Sequence, residues 1–262
     1  MPEILEVERY RQVAELALGR PVQGAWLVDA RYGRGGTTAR RLGDALGGRP
    51  FVAARRRGKL LLLDSEDGPT VGLRFGMTGA LALDGELAIE RLRYSPARIA
   101  RQWVRAVFTF ADGGALEVHD PRRLGSVELA PDESRLGPDA LSITRRQLTT
   151  ALAVRDARAA PLKARLMDQA RVAGIGNLLA DEILWRGALD PTRRSALTAE
   201  EVRRAHSSLR ATLRLLQRRG GSHTGDLMEQ RHQGGRCPTD GRELRHESVG
   251  GRTTYWCPGH QR

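Results

Sequence analysis

The chain has little cysteine, little lysine and no long apolar run. Its 262 residues include 2 cysteines, Cys237 and Cys257, which are too few for a disulfide scaffold. The longest apolar run, Leu60 to Leu63, is far too short to cross a bilayer. The first residues also lack the basic-then-apolar layout of an export signal. We therefore expect a soluble cytoplasmic protein with no membrane partner.

Charge points to the kind of partner. The chain has 43 basic and 31 acidic residues and a formal net charge of +12. An excess of this size favours a polyanion, and nucleic acid before membrane, because no basic helix with a broad apolar face is evident. Lys59 and Lys163 are the only lysines, so nearly all of the basic residues are arginine. A general preference for arginine explains much of the excess of positive charge. The two lysines therefore need an explanation of their own.

The N-terminal half reads as one helix followed by short strands. Apolar residues at helical spacing predict a helix from Glu3 to Leu18, before Gly19 and Pro21. Beyond it, short β-rich segments alternate with glycine, which predicts a β-sandwich or barrel. The predicted strands are Val22–Asp29, Phe51–Arg56, Lys59–Asp64, Val71–Phe75, Ala80–Leu83, Val104–Phe110, Ala115–Val118 and Ser126–Leu129.

The C-terminal half reads as helical. A stretch rich in proline and glycine, Ala130 to Ala140, is the best linker candidate. After it, helical periodicity predicts four helices and hence a compact second domain. The predicted helices are Thr144–Val154, Ala160–Gln169, Leu178–Arg186 and Thr198–Arg218. The last thirty residues are rich in glycine and contain both cysteines.

The first two residues after Met1 could react with a sugar. Removal of Met1 would leave Pro2 with a secondary amine, which can attack an anomeric carbon and form an iminium ion. Glu3 could move protons at that carbon. Proline and an acidic residue are also favoured in the first turn of any helix, so this pair alone is weak evidence.

A glycine-rich turn precedes the third predicted helix. In Gly174-Ile175-Gly176-Asn177, the glycines allow a tight turn and Asn177 is suited to cap the following helix. Such a turn would present free N–H groups to a phosphate. A tight helix–helix connection without a ligand explains the residues equally well.

The two cysteines lie in matched short motifs. Cys237-Pro-Thr-Asp240 and Cys257-Pro-Gly-His260 are separated by 16 residues. This spacing suits a β-hairpin that binds one structural zinc ion through Cys237, Asp240, Cys257 and His260. Two buried thiols without a metal are the alternative, but the matched spacing favours zinc, with His246 as a substitute ligand for Asp240.

Motifs along the whole chain resemble the formamidopyrimidine-DNA glycosylase and endonuclease VIII family of base-excision repair enzymes. They are the Met-Pro-Glu-Ile-Leu-Glu-Val-Glu start, Arg56-Arg57-Gly58-Lys59-Leu60-Leu61-Leu62, Phe75-Gly76-Met77-Thr78-Gly79, Asp120-Pro121-Arg122-Arg123-Leu124-Gly125, Leu166-Met167-Asp168, residues 174–191 and Gly250-Gly251-Arg252-Thr253-Thr254-Tyr255-Trp256-Cys257. They occur in the family's order, so the joint pattern is highly specific.

The resemblance implies an α+β fold in three parts. These are an N-terminal catalytic domain with a helix and a β-sandwich (1–130), a helical helix–two-turn–helix domain (131–222) and a zinc-finger hairpin (223–262). Damaged double-stranded DNA would lie in the cleft between the first two parts. We expect a monomer in the bacterial cytosol or nucleoid.

The resemblance also implies residue roles. Pro2 would be the nucleophile that forms a Schiff base, Glu3 the acid that assists base release, and Lys59 an active-site residue near the sugar–phosphate. Phosphate contacts are implied for Lys163, Asn177 and Arg252, and Arg252 would lie at the tip of the zinc hairpin. Three residues would fill the gap left by the everted nucleotide: Met77, Arg122 and Leu124. The implied activity is that of a bifunctional glycosylase and abasic-site lyase.

Departures from the family pattern leave the preferred lesion open. Leu124 replaces a common phenylalanine, Arg74 replaces a common histidine, and Asp240 and His260 replace two cysteines. Only fifteen residues separate Gly221 from Cys237. Oxidised purines, oxidised pyrimidines and abasic sites all remain candidates. Two further hypotheses are a non-catalytic relative that binds damaged DNA and a zinc-stabilised RNA-binding protein.

Overall fold

The computed structural model describes residues 2–89, 100–154 and 159–262. Contacts divide the chain into two compact units. The first contains Pro2 and Glu6–Glu133, and the second contains Glu3–Leu5 and Ser134–Arg262. The predicted second and third parts therefore belong to one unit by contacts, and the three-part division stays a prediction.

Within its described residues, the first unit has two α-helices and two five-stranded sheets. The helices are α1 (Ile4–Glu15), whose first two residues belong to the second unit, and α2 (Ala39–Leu46). The strands are β1 (Val22–Leu27), β2 (Gly33–Arg34), β3 (Phe51–Arg57), β4 (Leu60–Ser65), β5 (Val71–Arg74), β6 (Ala80–Leu83), β7 (Glu86–Leu87), β8 (Val104–Phe110), β9 (Ala115–His119) and β10 (Ser126–Leu129). All eight predicted strands are present, with ends within two residues of those expected.

The two sheets enclose one core. Their strand orders are β1-β8-β9-β6-β7 and β2-β10-β5-β4-β3, and all pairs are antiparallel except β10 with β2. Side chains from both sheets meet in one buried cluster, for example Phe51 from β3 and Phe108 from β8, whose ring centroids are 5.8 Å apart. This arrangement confirms the predicted sandwich.

Helix α2 was not predicted from the sequence. It has only two buried apolar residues, Leu42 and Leu46, which is too few to give a clear period. Its start is nevertheless encoded, because the Thr38 hydroxyl accepts a hydrogen bond from the Arg41 N–H.

The second unit contains four helices and a hairpin. They are α3 (Arg145–Leu152), α4 (Leu162–Met167), α5 (Asn177–Arg186), α6 (Ala199–Arg219), β11 (Arg245–Val249) and β12 (Arg252–Trp256). Helix α4 is shorter than predicted, because Pro161 occupies its N-cap position and Asp168 its C-cap. Two threonines, Thr144 and Thr198, begin α3 and α6 with capping boxes. Among the described residues, none of the helices has the length and apolar character needed to span a bilayer.

Candidate active site and nucleic-acid interface

Glu3 binds the N-terminus of helix α5. Its side chain is fully buried and accepts hydrogen bonds from the N–H groups of Gly176 (2.7 Å), Leu178 (2.9 Å) and Leu179 (3.3 Å). These are N–H groups that the first turn of a helix cannot satisfy internally. A carboxylate at this end also interacts favourably with the helix dipole. Of the two readings of the turn 174–177, a phosphate site or a tight connection without a ligand, the structure favours the second, because the protein's own carboxylate binds the free N–H groups.

Asn177 does not cap helix α5, contrary to expectation. The cap residue is Gly176, and Asn177 is the first helical residue. The Asn177 side-chain amide instead donates to the carbonyl of Thr253, 3.1 Å away. The capping prediction failed because the capping group comes from Glu3, more than 170 residues earlier in the chain, and local sequence carries no sign of it.

Pro2 and Lys59 lie in the first unit. Pro2 is buried, and its carbonyl carbon is bonded to the nitrogen of Glu3. Lys59 is half-buried in the two-residue turn between β3 and β4, where Gly58 adopts a φ of +58°. Glycine at the first position of such a turn matches the twist of the hairpin. Arg56 supports this turn, because its guanidinium donates to the Gly58 carbonyl and to Glu8.

The three predicted gap-filling residues lie on two loops that touch. Met77 is half-buried in the turn after β5, whereas Arg122 and Leu124 are exposed after β9, Leu124 by 50%. A Cβ placed on Gly76 would lie 2.6 Å from the Leu124 carbonyl oxygen, so the loops approach as closely as glycine allows. The structure thus brings all three side chains to one region of the first unit.

Asp120 connects these two loops, and the sequence reasoning missed its role. Its buried carboxylate accepts from the N–H groups of Leu124 and Gly125, both at 2.8 Å, and from the Thr78 hydroxyl at 2.6 Å. The N–H of Arg122 and the hydroxyl of Tyr32 also donate to it. Burial and the nearby Asp120 raise the pKa of Tyr32, which keeps this hydroxyl a donor. The Asp-Pro pair before a glycine was a signal for this turn.

Arg252 lies at the start of strand β12, directly after the hairpin turn. Gly250 and Gly251 form this turn with φ values of +58° and +74°, as a two-residue hairpin turn of type I′ requires. The Arg252 side chain is exposed. This position agrees with the expected one at the tip of the hairpin.

Lys163 does not lie on a surface that a phosphate could contact. Its side chain is fully buried, and its ammonium nitrogen is 2.6 Å from the Asp181 carboxylate and 2.7 Å from the Thr254 hydroxyl. It also donates to the Thr253 carbonyl, at 3.1 Å. Burial lowers the pKa of Lys163 to about 6, and the nearby Arg231 contributes to this shift. The structure therefore corrects the expected phosphate role, because Lys163 binds the hairpin strand instead.

Asp181 and Arg231 complete this buried group and were also missed. The Arg231 guanidinium contacts the second oxygen of Asp181 and lies over the ring of Tyr255. Asp181 thus contacts both Lys163 and Arg231 and joins helix α5 to the hairpin region. An acidic residue within a buried helix gives no sequence signal for this pairing.

Three of the four predicted zinc ligands lie together. Among the described residues, Cys237, Asp240 and Cys257 place ligand atoms within 4.8 Å of one another. Both carboxylate oxygens of Asp240 are 3.4 Å from the Cys257 sulfur. A tetrahedral zinc ion would hold a sulfur and an oxygen ligand about 3.5 Å apart, so this donor set fits zinc.

His260 and the alternative ligand His246 are not part of this group. The His260 Nε2 atom lies 2.9 Å from the Trp185 carbonyl oxygen, which holds the ring against helix α5. His246 stacks on Tyr255, with ring centroids 4.7 Å apart. The prediction of a complete four-ligand set is therefore corrected to three gathered ligands.

Two family models match the chain. The model of the formamidopyrimidine-DNA glycosylase N-terminal domain matches residues 1–127, and that of the formamidopyrimidine-DNA glycosylase H2TH domain matches residues 136–226. The formamidopyrimidine-DNA glycosylase of Xanthomonas campestris is 32% identical over 289 residues, covering 100% of both chains. The chain belongs to the formamidopyrimidine-DNA glycosylase family. The Thermus thermophilus glycosylase is 34% identical and covers 98% of this chain and 97% of its own.

Solved structures of this glycosylase family share the fold. The Lactococcus lactis protein in complex with abasic-site DNA superposes with a TM-score of 0.82 at 24% identity, covering 100% of both chains. The same protein bound to DNA with an N7-benzyl formamidopyrimidine lesion also has a TM-score of 0.82. Membership of the family makes this chain a DNA glycosylase of base-excision repair.

Proposed function

We propose that the chain excises oxidised bases from duplex DNA and then cleaves the strand as an abasic-site lyase. The observation that carries this proposal is the fixed Glu3 carboxylate at the start of the chain, bonded through one peptide to Pro2. A carboxyl group next to a secondary amine supplies the acid and the nucleophile that excision through a Schiff base needs. Removal of Met1 is part of the proposal.

Excision begins with the Pro2 nitrogen. It forms a bond to C1′ of the everted nucleotide, and the bond from C1′ to the base breaks, with its electron pair leaving on the base. Glu3 assists by donating a proton to the departing base. The sugar ring opens when O4′ takes the proton that the nitrogen gives up, which leaves an iminium between nitrogen and C1′.

Strand cleavage follows from the iminium. The iminium acidifies the hydrogens at C2′, and loss of one of them expels the 3′ phosphate by β-elimination. A second elimination can release the 5′ phosphate by δ-elimination. Water then hydrolyses the remaining adduct and restores the free amine. No cofactor is consumed in this sequence.

The proposed DNA contacts come from both units. Eversion of a nucleotide costs a few kcal/mol, and apolar or planar side chains that occupy the vacancy offset part of this cost. Met77, Arg122 and Leu124 are suited to this role because Asp120 holds their two loops together. The cations Lys59 and Arg252 and the amide of Asn177 would contact phosphates near the lesion.

We infer that zinc is the metal for Cys237, Asp240 and Cys257. It would be structural and would fix the turns at the base of the hairpin that carries Arg252. His260 could supply Nδ1 as the fourth ligand while its Nε2–H keeps donating to the Trp185 carbonyl, as zinc-bound histidines commonly do; otherwise water would fill that position.

Borohydride reduction tests the proposed function. Incubating the protein with abasic-site duplex and borohydride should trap a covalent complex, and Pro2→Gly should abolish it. The matched control is Pro69→Gly, in the loop between β4 and β5, which should trap as well as the wild type. No trapping by the wild type would favour the non-catalytic DNA-binding alternative. Full trapping by Pro2→Gly would show that another amine is the nucleophile.

A further inference from the structure

The two glycines of the turn before helix α5 have no space for a side chain. A Cβ on Gly176 would lie 2.3 Å from the Glu3 carboxyl carbon and within 2.6 Å of both carboxylate oxygens. A Cβ on Gly174 would lie 2.4 Å from the Ile4 side chain, and Gly174 has a φ of +114°. The space that glycine leaves at each position is thus filled by a residue near the start of the chain.

Hydrogen bonds hold the same two residues. The Ile4 N–H donates to the Gly174 carbonyl at 3.1 Å, and the Gly176 N–H donates to Glu3 at 2.7 Å. Two more N–H groups of helix α5 donate to Glu3, and both Glu3 and Ile4 are fully buried. The turn and residues 3–4 therefore fit each other in three ways: through backbone hydrogen bonds, through the Glu3 carboxylate and through side-chain volume.

From this fit we propose that Gly174 and Gly176 are positioning residues for the reacting end of the chain. They turn the N-terminus of helix α5 into a binding site for Glu3, and the peptide bond between Pro2 and Glu3 transmits that position to the Pro2 carbonyl. The inference rests on the proposed function, because it matters for catalysis only if Pro2 and Glu3 react. It assigns the two glycines a role in placing the catalytic groups, whereas the phosphate contact proposed above comes from the side chain of Asn177, the first residue of the helix.

A size-compensation experiment tests this role. Gly176→Ala places a methyl group where the Glu3 carboxyl lies, whereas Glu3→Asp withdraws that carboxyl by one methylene. We expect Gly176→Ala to lower the single-turnover excision rate at least 10-fold in the wild-type background and less than 3-fold in the Glu3→Asp background. An equal loss of excision rate in both backgrounds would overturn the proposal, because the effect of Gly176→Ala would then not depend on the Glu3 side chain.

Two controls distinguish a loss of positioning from a general loss of structure or of DNA binding. Gly43→Ala in helix α2 is the matched substitution, since its Cβ would meet nothing closer than 3.8 Å, and it should leave the excision rate unchanged. Binding of a duplex with a tetrahydrofuran abasic analogue should change less than 3-fold in Gly176→Ala. A loss of DNA binding as large as the loss of excision would support a phosphate-binding turn and contradict the proposal.

An amide measurement keeps the proposal testable if Gly176→Ala does not fold. In the wild type, the Gly176 and Leu178 amide protons should exchange slowly with solvent, because Glu3 accepts a hydrogen bond from each. Glu3→Ala should speed the exchange of both amides at least 10-fold. Unchanged exchange in Glu3→Ala would overturn the proposal. The outcome is independent of borohydride trapping by the wild type, so failure of the proposed function is recognised separately.

Discussion

Two buried carboxylates, Asp120 and Glu3, each hold a turn of the backbone, but they differ in how far along the chain they act. Asp120 accepts hydrogen bonds from three N–H groups within five residues of itself. Glu3 accepts three from a helix more than 170 residues away. The same interaction is therefore local in the first unit and long-range in the second.

The difference shows what each carboxylate contributes. Asp120 supports neighbours that point outward, such as Leu124, and it needs no reactivity to do so. Glu3 is bonded to Pro2, so the contacts that hold it also fix the group next to the proposed nucleophile. A structural carboxylate and the proposed catalytic one thus share a hydrogen-bond pattern, and their neighbours distinguish them.

The largest expected effect is a loss of stability on removing the Asp120 carboxylate. Asp120→Ala should lower the free energy of unfolding by about 4 kcal/mol, because it leaves the buried Gly125 N–H and the buried hydroxyls of Thr78 and Tyr32 without their acceptor. Urea denaturation would measure this. The control is Asp112→Ala, an exposed aspartate paired with Arg20, which should change stability far less. Similar losses in both variants would contradict the central role of Asp120.

Glu3→Gln should separate base release from strand cleavage. The amide cannot supply the proton for base release, so glycosylase activity should fall about 100-fold or more. Strand cleavage at a preformed abasic site should fall less, because no base has to leave. Single-turnover assays on lesion and abasic duplexes would measure both rates. Equal losses on the two substrates would argue that Glu3 is needed only to hold the N-terminus.

Lys163→Met should alter the pH dependence of stability. The pKa of Lys163 is about 6 in the folded protein against an ordinary 10.5, so the unfolded chain binds more protons between these values. The Lys163 contribution therefore makes stability rise with pH over this range, by at most about 1.4 kcal/mol per pH unit. Lys163→Met should remove that slope, as measured by urea denaturation from pH 6 to 9. Lys59→Met, the control, should keep it.

The smallest expected change in stability is that of Leu124→Ala. Half of this side chain is exposed, so the free energy of unfolding should stay within about 0.5 kcal/mol of the wild type. Single-turnover excision should nevertheless fall about 10-fold, because less of the vacated space would be filled. Leu16→Ala removes a leucine that is 71% exposed elsewhere in the first unit and should affect neither quantity. Unchanged excision in Leu124→Ala would contradict the gap-filling role.

Local patterns predicted the elements, and distant contacts escaped prediction. The strands β6, β8 and β10 have the predicted bounds, because β-rich composition and flanking glycines are local signals. The cysteine motifs likewise predicted the grouping of Cys237, Asp240 and Cys257. The expectations for Lys163 and for capping by Asn177 failed because their outcomes depend on Asp181 and Glu3, which are distant in sequence. The ligand role of His260 stays a prediction, and its Nε2 contact with the Trp185 carbonyl was not foreseen for the same reason.

The burial of Lys163 has a consequence for labelling chemistry. The chain has two lysines, of which Lys163 is fully buried and Lys59 is half-buried, so Lys59 is the more accessible of the two. Acylating reagents and reductive methylation react with amines. They should therefore modify Lys59 in addition to the N-terminal amine. Attachment to a sensor surface through amines would then occupy the proposed site itself. Amine modification in solution, with and without DNA, would report whether DNA shields Lys59.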